Sequence, residues 1–280
     1  MHRSLLLSWL VGLSLLGVGC PSTDDDDSAV DDDDTADDDD ATADDDDATA
    51  DDDDSGDDDD SGDDDDSAVA PPRVLLFAAD DDDSGLALET RLGEDGIPVT
   101  RHASYWDWDG ASPSPADFDV VLIFEGDDYG DGFTSAGDAA LVNWLTNGGT
   151  LIRTEWASYS IGDPAVDAQY AIDETIPVTY QGSYEYDTTW TVTDTTHPLT
   201  AGLPATWVAT DDGCSVVTAS SAALVVATSD LCGPAITLGE ANALGGRVIH
   251  VNGDLGADNS ATAGTELLQV MTNAVWFGAP

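Results

Sequence analysis

Apolar and polar positions divide this chain at Pro71-Pro72. Beyond that pair, Val74-Leu75-Leu76-Phe77-Ala78-Ala79 is an unbroken apolar run, the pattern of a strand covered on both faces. Asp80 and its three acidic neighbours follow. Ser84 then caps a predicted helix that reaches Glu94, with Leu86, Leu88 and Leu92 among its apolar positions, and Asp95-Gly96 ends it. Residues 97–102 predict a second strand and residues 105–110 a loop. A third strand covers residues 118–125, followed by an acidic loop holding Asp127, Asp128 and Asp131. Ser135 with Asp138 opens a second helix, in which Ala140, Leu141, Trp144 and Leu145 share one face and Asn147-Gly148 closes it. A further apolar run, Thr150-Leu151-Ile152-Arg153-Thr154, leads into Glu155-Trp156.

This order of strands and helices specifies an α/β domain with an open, mostly parallel sheet and helices on both faces. Right-handed crossovers place the first, third and fourth strands near one another. After Trp156 the pattern turns to extra β-strands rich in Thr, Tyr and Trp, at 176–181, 188–193 and several within 214–240. Residues 246–254 read as another buried strand with a polar exit, and residues 262–277 as a closing helix.

The amino-terminal part has a different character. A basic start, an apolar stretch over residues 5–18 and Gly19-Cys20 make a secretory signal over residues 1–19, too short for a span that needs about 20 apolar residues. Gly17-Val18-Gly19-Cys20 resembles the lipobox of bacterial lipoproteins. That resemblance implies an acylated Cys20, attachment to a membrane through lipid, and export to the outer membrane or cell surface. Residues 20–72 carry seven blocks of four aspartates, which makes 28 of the 59 acids. So little apolar surface and so much self-repulsion predict a disordered, extended tether, reaching at most roughly 180 Å. Residues 73–280 hold the remaining 31 acids against five arginines, and the chain has no lysine, so nucleic acid is excluded as a partner.

Strand, acidic loop, helix, Gly148-Gly149 and strand, then His197-Pro198-Leu199-Thr200-Ala201-Gly202-Leu203-Pro204, then Gly246-Arg247-Val248-Ile249 and a helix with Thr272-Asn273-Ala274-Val275, follow one another in order. Together they resemble the class I glutamine amidotransferase-like superfamily, nearest its trehalose-utilisation-like, non-amidotransferase branch. The resemblance implies a flavodoxin-like fold over residues 73–280. In the superfamily's enzymes a cysteine sits on a sharp turn after the strand that matches residues 150–154. Glu155-Trp156 stands there instead, and no cysteine lies between Cys20 and Cys214. Glutamine hydrolysis is therefore not expected, and His250 and Asp254, near the family's histidine and acid, form no triad without a nucleophile.

Ligands of open α/β sheets bind beyond the carboxyl ends of the strands. Asp80, Glu125, Asp127, Asp131, Glu155 and Asp254 occupy such ends, with Trp156 beside them. Two readings stand. The acids, Asp80, Asp127 and Asp131 above all, could ligate Ca²⁺, although no cofactor is required; or they form a solvated acidic edge. Trp106, Trp108, Tyr129, Trp156 and Tyr159 near these acids suit a glycan or a cationic ligand, or else ordinary packing under loops. Cys214 and Cys232 can form a disulfide in an exported protein. A simple hairpin at residues 219–222 would put Cys214 opposite Thr228, so the bridge needs the segment at Ser229-Asp230 to fold back. The function expected is a non-catalytic binding module on a lipoprotein; the alternative is a carboxylate-dependent hydrolase acting on a carbohydrate or envelope substrate.

Overall fold

The computed structural model describes residues 69–78, 83–125, 132–162, 170–240, 246–253 and 265–279. Four short parallel strands form the first half: β1 (Val74–Phe77), β2 (Val99–His102), β3 (Val120–Ile123) and β4 (Thr150–Arg153), with helices α1 (Asp83–Glu94) and α2 (Ser135–Thr146) between them. Helix α3 (Glu155–Gly162) follows β4 directly. The second half holds β5 (Val178–Val192), β6 (Thr206–Ala219), β7 (Leu224–Ser229), β8 (Gly233–Glu240), β9 (Arg247–Val251) and α4 (Thr265–Gly278). All nine strands join one sheet in the order β2-β1-β3-β4-β9-β8-β7-β5-β6. β1, β2, β3, β4 and β9 run parallel, and the remainder of the sheet is antiparallel.

β1, β3 and β4 are neighbours, as right-handed crossovers require, and every residue in them is buried. The two-residue alternation sorts their side chains into two cores. Leu76, Leu122, Ile152 and Ile249 face one core with Leu88 and Leu92 of α1 and Met271 and Val275 of α4. Leu75, Val121, Leu151 and Val248 face the other with Leu141 and Leu145 of α2. Leu86 of α1 points outward, 37 % exposed.

Helix α2 starts one residue earlier than its Ser-x-x-Asp pattern indicates, because Thr134 is the cap and accepts from the Gly137 amide. The Asp138 carboxylate instead accepts from the backbone amides of Ala171 and Ile172, tying a distant segment to the helix. His197 caps the turn of Pro198–Thr200 through Nδ1, which accepts from the Leu199 amide at 3.2 Å.

The larger departure from expectation is in the antiparallel half. The two short runs expected at 176–181 and 188–193 are one 15-residue strand, β5. Two irregularities, between Tyr180 and Tyr184 and between Tyr186 and Thr188, bend it against β6. β6 and β7 do not pair as a hairpin. β6 pairs with β5, while β7 lies between β5 and β8. The Cys214 and Cys232 sulfurs are joined at 1.95 Å, linking the middle of β6 to the residue before β8. The backbone of Val217 donates to Cys232 alongside that link. One part of the β5–β6 ribbon is thereby held against β8, and the other continues the sheet edge.

Candidate functional site

The carboxyl ends of β3, β4 and β9 all open on one edge of the parallel sheet, because the three strands run in the same direction. Glu125 leaves β3 and Glu155 leaves β4 on that edge. In register, Ile123 stands beside Arg153, Arg153 beside His250, and His250 beside Thr237. A row of three buried polar side chains thus crosses β4, β9 and β8, on the same sheet face as Leu151 and Val248.

Arg153 organises this row. Its side chain is 3 % exposed; Nη2 donates to Glu125 Oε1, and Nη1 donates to Asp173 Oδ1 at 3.0 Å. Ser160 of α3 adds a hydroxyl 3.5 Å from the other Glu125 oxygen. Burial disfavours the Arg153 charge, but Glu125 and Asp173 outweigh it and hold its pKa above the ordinary value. Burial raises the Glu125 pKa, with Arg153 working against that rise and Asp173 adding to it. His250 is fully buried, and among the described residues neither ring nitrogen has a hydrogen-bond partner. Burial, aided by the Arg153 charge, pulls its pKa down to about 3, so the imidazole is neutral.

Glu155 is the first residue of α3 and is fully buried. Ser215 of β6 donates its hydroxyl to Glu155 Oε1. The backbone of Ser215 is held in turn by Asn252, which accepts from its amide at 3.3 Å and donates to its carbonyl at 2.8 Å. Glu155 and Asn252 together therefore fasten the β6 ribbon to the ends of β4 and β9. Glu125 and Glu155 share an edge, but each is engaged by a different partner.

Above this buried layer, α3 meets the ribbon through aromatic rings. Trp156 stacks on Tyr184 with centroids 5.5 Å apart and an interplanar angle of 21°. Tyr159 packs edge-on against both Trp156 and Tyr180, and Tyr186 edge-on against Tyr184 at 4.9 Å. Trp156, Tyr159, Tyr180 and Tyr184 are half-buried, while Tyr186 is 62 % exposed. Two glycines permit this closeness: a Cβ on Gly213 would collide with the Tyr184 ring, and one on Gly162 with the Tyr180 ring.

The rings expected at the edge divide into two sets. Trp156 and Tyr159 belong to the cluster just described. Trp108 is buried among Phe77 and Phe133, its indole N–H donating to the Pro113 carbonyl, so it is a core residue. Asp80, Asp127, Tyr129, Asp131 and Asp254 lie outside the described residues, as do Cys20 and the aspartate blocks. Among the described residues no group of three or more His, Cys, Asp or Glu is placed to hold a metal ion. Arg153, Asp173, Ser215, Tyr184 and Tyr186 were not singled out from sequence. The signal available was Arg153 itself, one charge inside an apolar parallel strand, where an ion needs a partner.

The fold is a flavodoxin-like α/β domain, a mostly parallel sheet with helices, extended by antiparallel strands, and a buried glutamate directly follows β4. No family model matches the chain, and no curated protein matches it by sequence. Solved structures share the fold. A cytoplasmic protein from Salmonella typhimurium is similar over 74 % of this chain and 98 % of its own, with a TM-score of 0.57 and 15 % identity. A ThuA-like protein from Bacteroides uniformis is similar over 73 % of this chain and 91 % of its own, with a TM-score of 0.55 and 14 % identity. A structure described as a carbohydrate deacetylase aligns over 74 % of this chain but 33 % of its own, with a TM-score of 0.54 and 14 % identity.

Proposed function

We propose that this domain binds carbohydrate at the rings of α3 and the β5–β6 ribbon, and that it does so as the outer module of an exported lipoprotein anchored through Cys20. The observation that carries the reading is the ring cluster itself: Trp156, Tyr159, Tyr180, Tyr184 and Tyr186 meet on one rim, with Tyr186 mostly exposed. Aromatic rings present flat apolar faces to sugars while their polar tips stay wet. The carbohydrate deacetylase among the similar folds supports the same ligand class.

Binding is favoured over carboxylate-dependent hydrolysis because the two described edge glutamates are already engaged. Glu125 faces the Arg153 guanidinium, and Glu155 accepts from Ser215. A general acid and base must reach a substrate proton within hydrogen-bond distance. Here both carboxylates are buried.

The test is a glycan array probed with the full chain, followed by titration of any hit against Tyr186→Ala. Binding that falls at least tenfold in the variant supports the reading. An array without hits, or affinity unchanged in Tyr186→Ala, rejects it.

A further inference from the structure

We infer that Glu155 is the positioning residue of the ring cluster: through Ser215 it fixes how Trp156 of α3 meets Tyr184 of the ribbon, and so sets how firmly the rim holds a ligand. The ligand half of this inference rests on the carbohydrate reading above; the positioning half does not.

Four residues form a closed circuit. Tyr184 and Ser215 are direct cross-strand partners on β5 and β6, so their side chains leave the same face of the ribbon. The Ser215 hydroxyl donates to Glu155, the first residue of α3. Trp156 is the next residue of that helix, and its ring stacks on Tyr184. The hydrogen bond and the ring stack therefore span the same gap side by side, and α3 cannot shift along the ribbon without straining both.

The ribbon is the fixed side of the circuit. Asn252, just after β9, holds the amide and the carbonyl of Ser215 and donates as well to the Pro234 carbonyl at 3.2 Å. Cys214, the neighbour of Ser215, turns to the opposite face of the ribbon, where it is bonded to Cys232. Elsewhere on α3 the Ser160 hydroxyl lies 3.5 Å from Glu125, a weak contact. The position of α3 is thus read from Ser215 by Glu155. Tyr186 shares the face of Tyr184, stands opposite Gly213 and packs edge-on to Tyr184, so the most exposed ring takes its place from the stacked pair. Rings already in place give up less freedom when a ligand arrives, and each ring left for the ligand to order weakens affinity by roughly two- to tenfold.

The experiment uses the full chain and the variants Ser215→Ala, Glu155→Ala and Glu155→Gln, the last keeping an oxygen that can accept from Ser215. The placement of Trp156 is read as the near-ultraviolet circular dichroism lost on Trp156→Phe in each background. Affinity is read by titration with the hexamers of glucose and of N-acetylglucosamine, under conditions where far-ultraviolet dichroism shows the chain folded. Loss of the bond is expected to shrink the Trp156 signal and to weaken binding by roughly two- to tenfold, and Glu155→Gln should restore both. A bond that only stabilises the fold moves the unfolding midpoint alone. An unchanged Trp156 signal in Ser215→Ala therefore overturns the inference, and so does a changed signal with unchanged affinity. Ser215→Ala removes a single oxygen and keeps the test decisive if Glu155→Ala does not fold. If the wild type binds neither hexamer, the Trp156 signal alone decides the positioning, while the glycan array separately decides the carbohydrate reading.

Discussion

Arg153 and His250 stand side by side on adjacent parallel strands, paired in register and both buried, yet one is a permanent cation and the other a neutral imidazole. The difference follows from their partners. Arg153 reaches two carboxylates, while His250 has burial and a neighbouring positive charge acting on it and nothing to offset them.

A pH dependence follows directly. The folded His250 pKa, about 3, is below the ordinary 6.5, so as pH falls through 6.5 the unfolded chain takes up a proton that the native protein refuses. The His250 contribution is complete above pH 6.5 and is lost progressively towards pH 3, at most ~5 kcal/mol. Glu125, whose pKa is raised, has the opposite sign: its penalty is relieved as pH falls. Urea unfolding of the wild type and of His250→Leu between pH 7 and 4 separates the two effects. The variant should lose most of the acid-side decline, and identical pH profiles would refute the assignment.

Removing the central cation should be more damaging than neutralising one of its carboxylates. Arg153→Met leaves Glu125 and Asp173 facing each other in a buried site, a loss of about 3–5 kcal/mol. Glu125→Gln keeps a hydrogen-bond acceptor for the guanidinium and leaves Asp173 as counter-charge, so its loss should be smaller. Denaturant midpoints of the two variants give the order.

Cys214 and Cys232 close a separation of 18 residues, and their reduction should lower stability by about 3 kcal/mol in the chain-entropy model. The effect should be local before it is global, because the link fastens the stretch of β6 that carries Ser215 onto Glu155. Cys214→Ser/Cys232→Ser is expected to show faster amide exchange in β6 than in β1 or β3. Uniform exchange across all strands would argue against a clamp confined to the ribbon.

Gly213 has no room for a side chain because the Tyr184 ring lies over it. Gly213→Ala should destabilise by about 1–3 kcal/mol through overpacking. The same alanine in a Tyr184→Ala background should lose less, since the obstacle is gone. A double-mutant cycle measures the coupling, and strict additivity would show that the two positions do not interact.

Cys20→Ala should convert a membrane-associated protein into a released one. Fractionation and labelling with a radioactive fatty acid check this: label on the wild type and none on the variant is the expected result, while label on neither excludes the lipid anchor.

What the sequence determined by itself is the parallel half of the domain. The unbroken apolar runs at Val74-Leu75-Leu76-Phe77 and Val120-Val121-Leu122-Ile123 are legible because a strand buried on both faces needs no polar side chain. Their adjacency follows from the handedness of the crossovers. The absence of a thiol after β4 is likewise visible in Glu155-Trp156. What only the tertiary structure decided is the antiparallel half and the site made from it. Whether β6 pairs with β5 or with β7 depends on which distant backbone supplies the hydrogen bonds, and local alternation is the same in either case. Only that pairing brings Ser215 to Glu155 and lays Tyr184 on Trp156. Arg153 could be seen as an anomaly in its strand, but its partners come from β3 and from residue 173, and their meeting is a property of the fold.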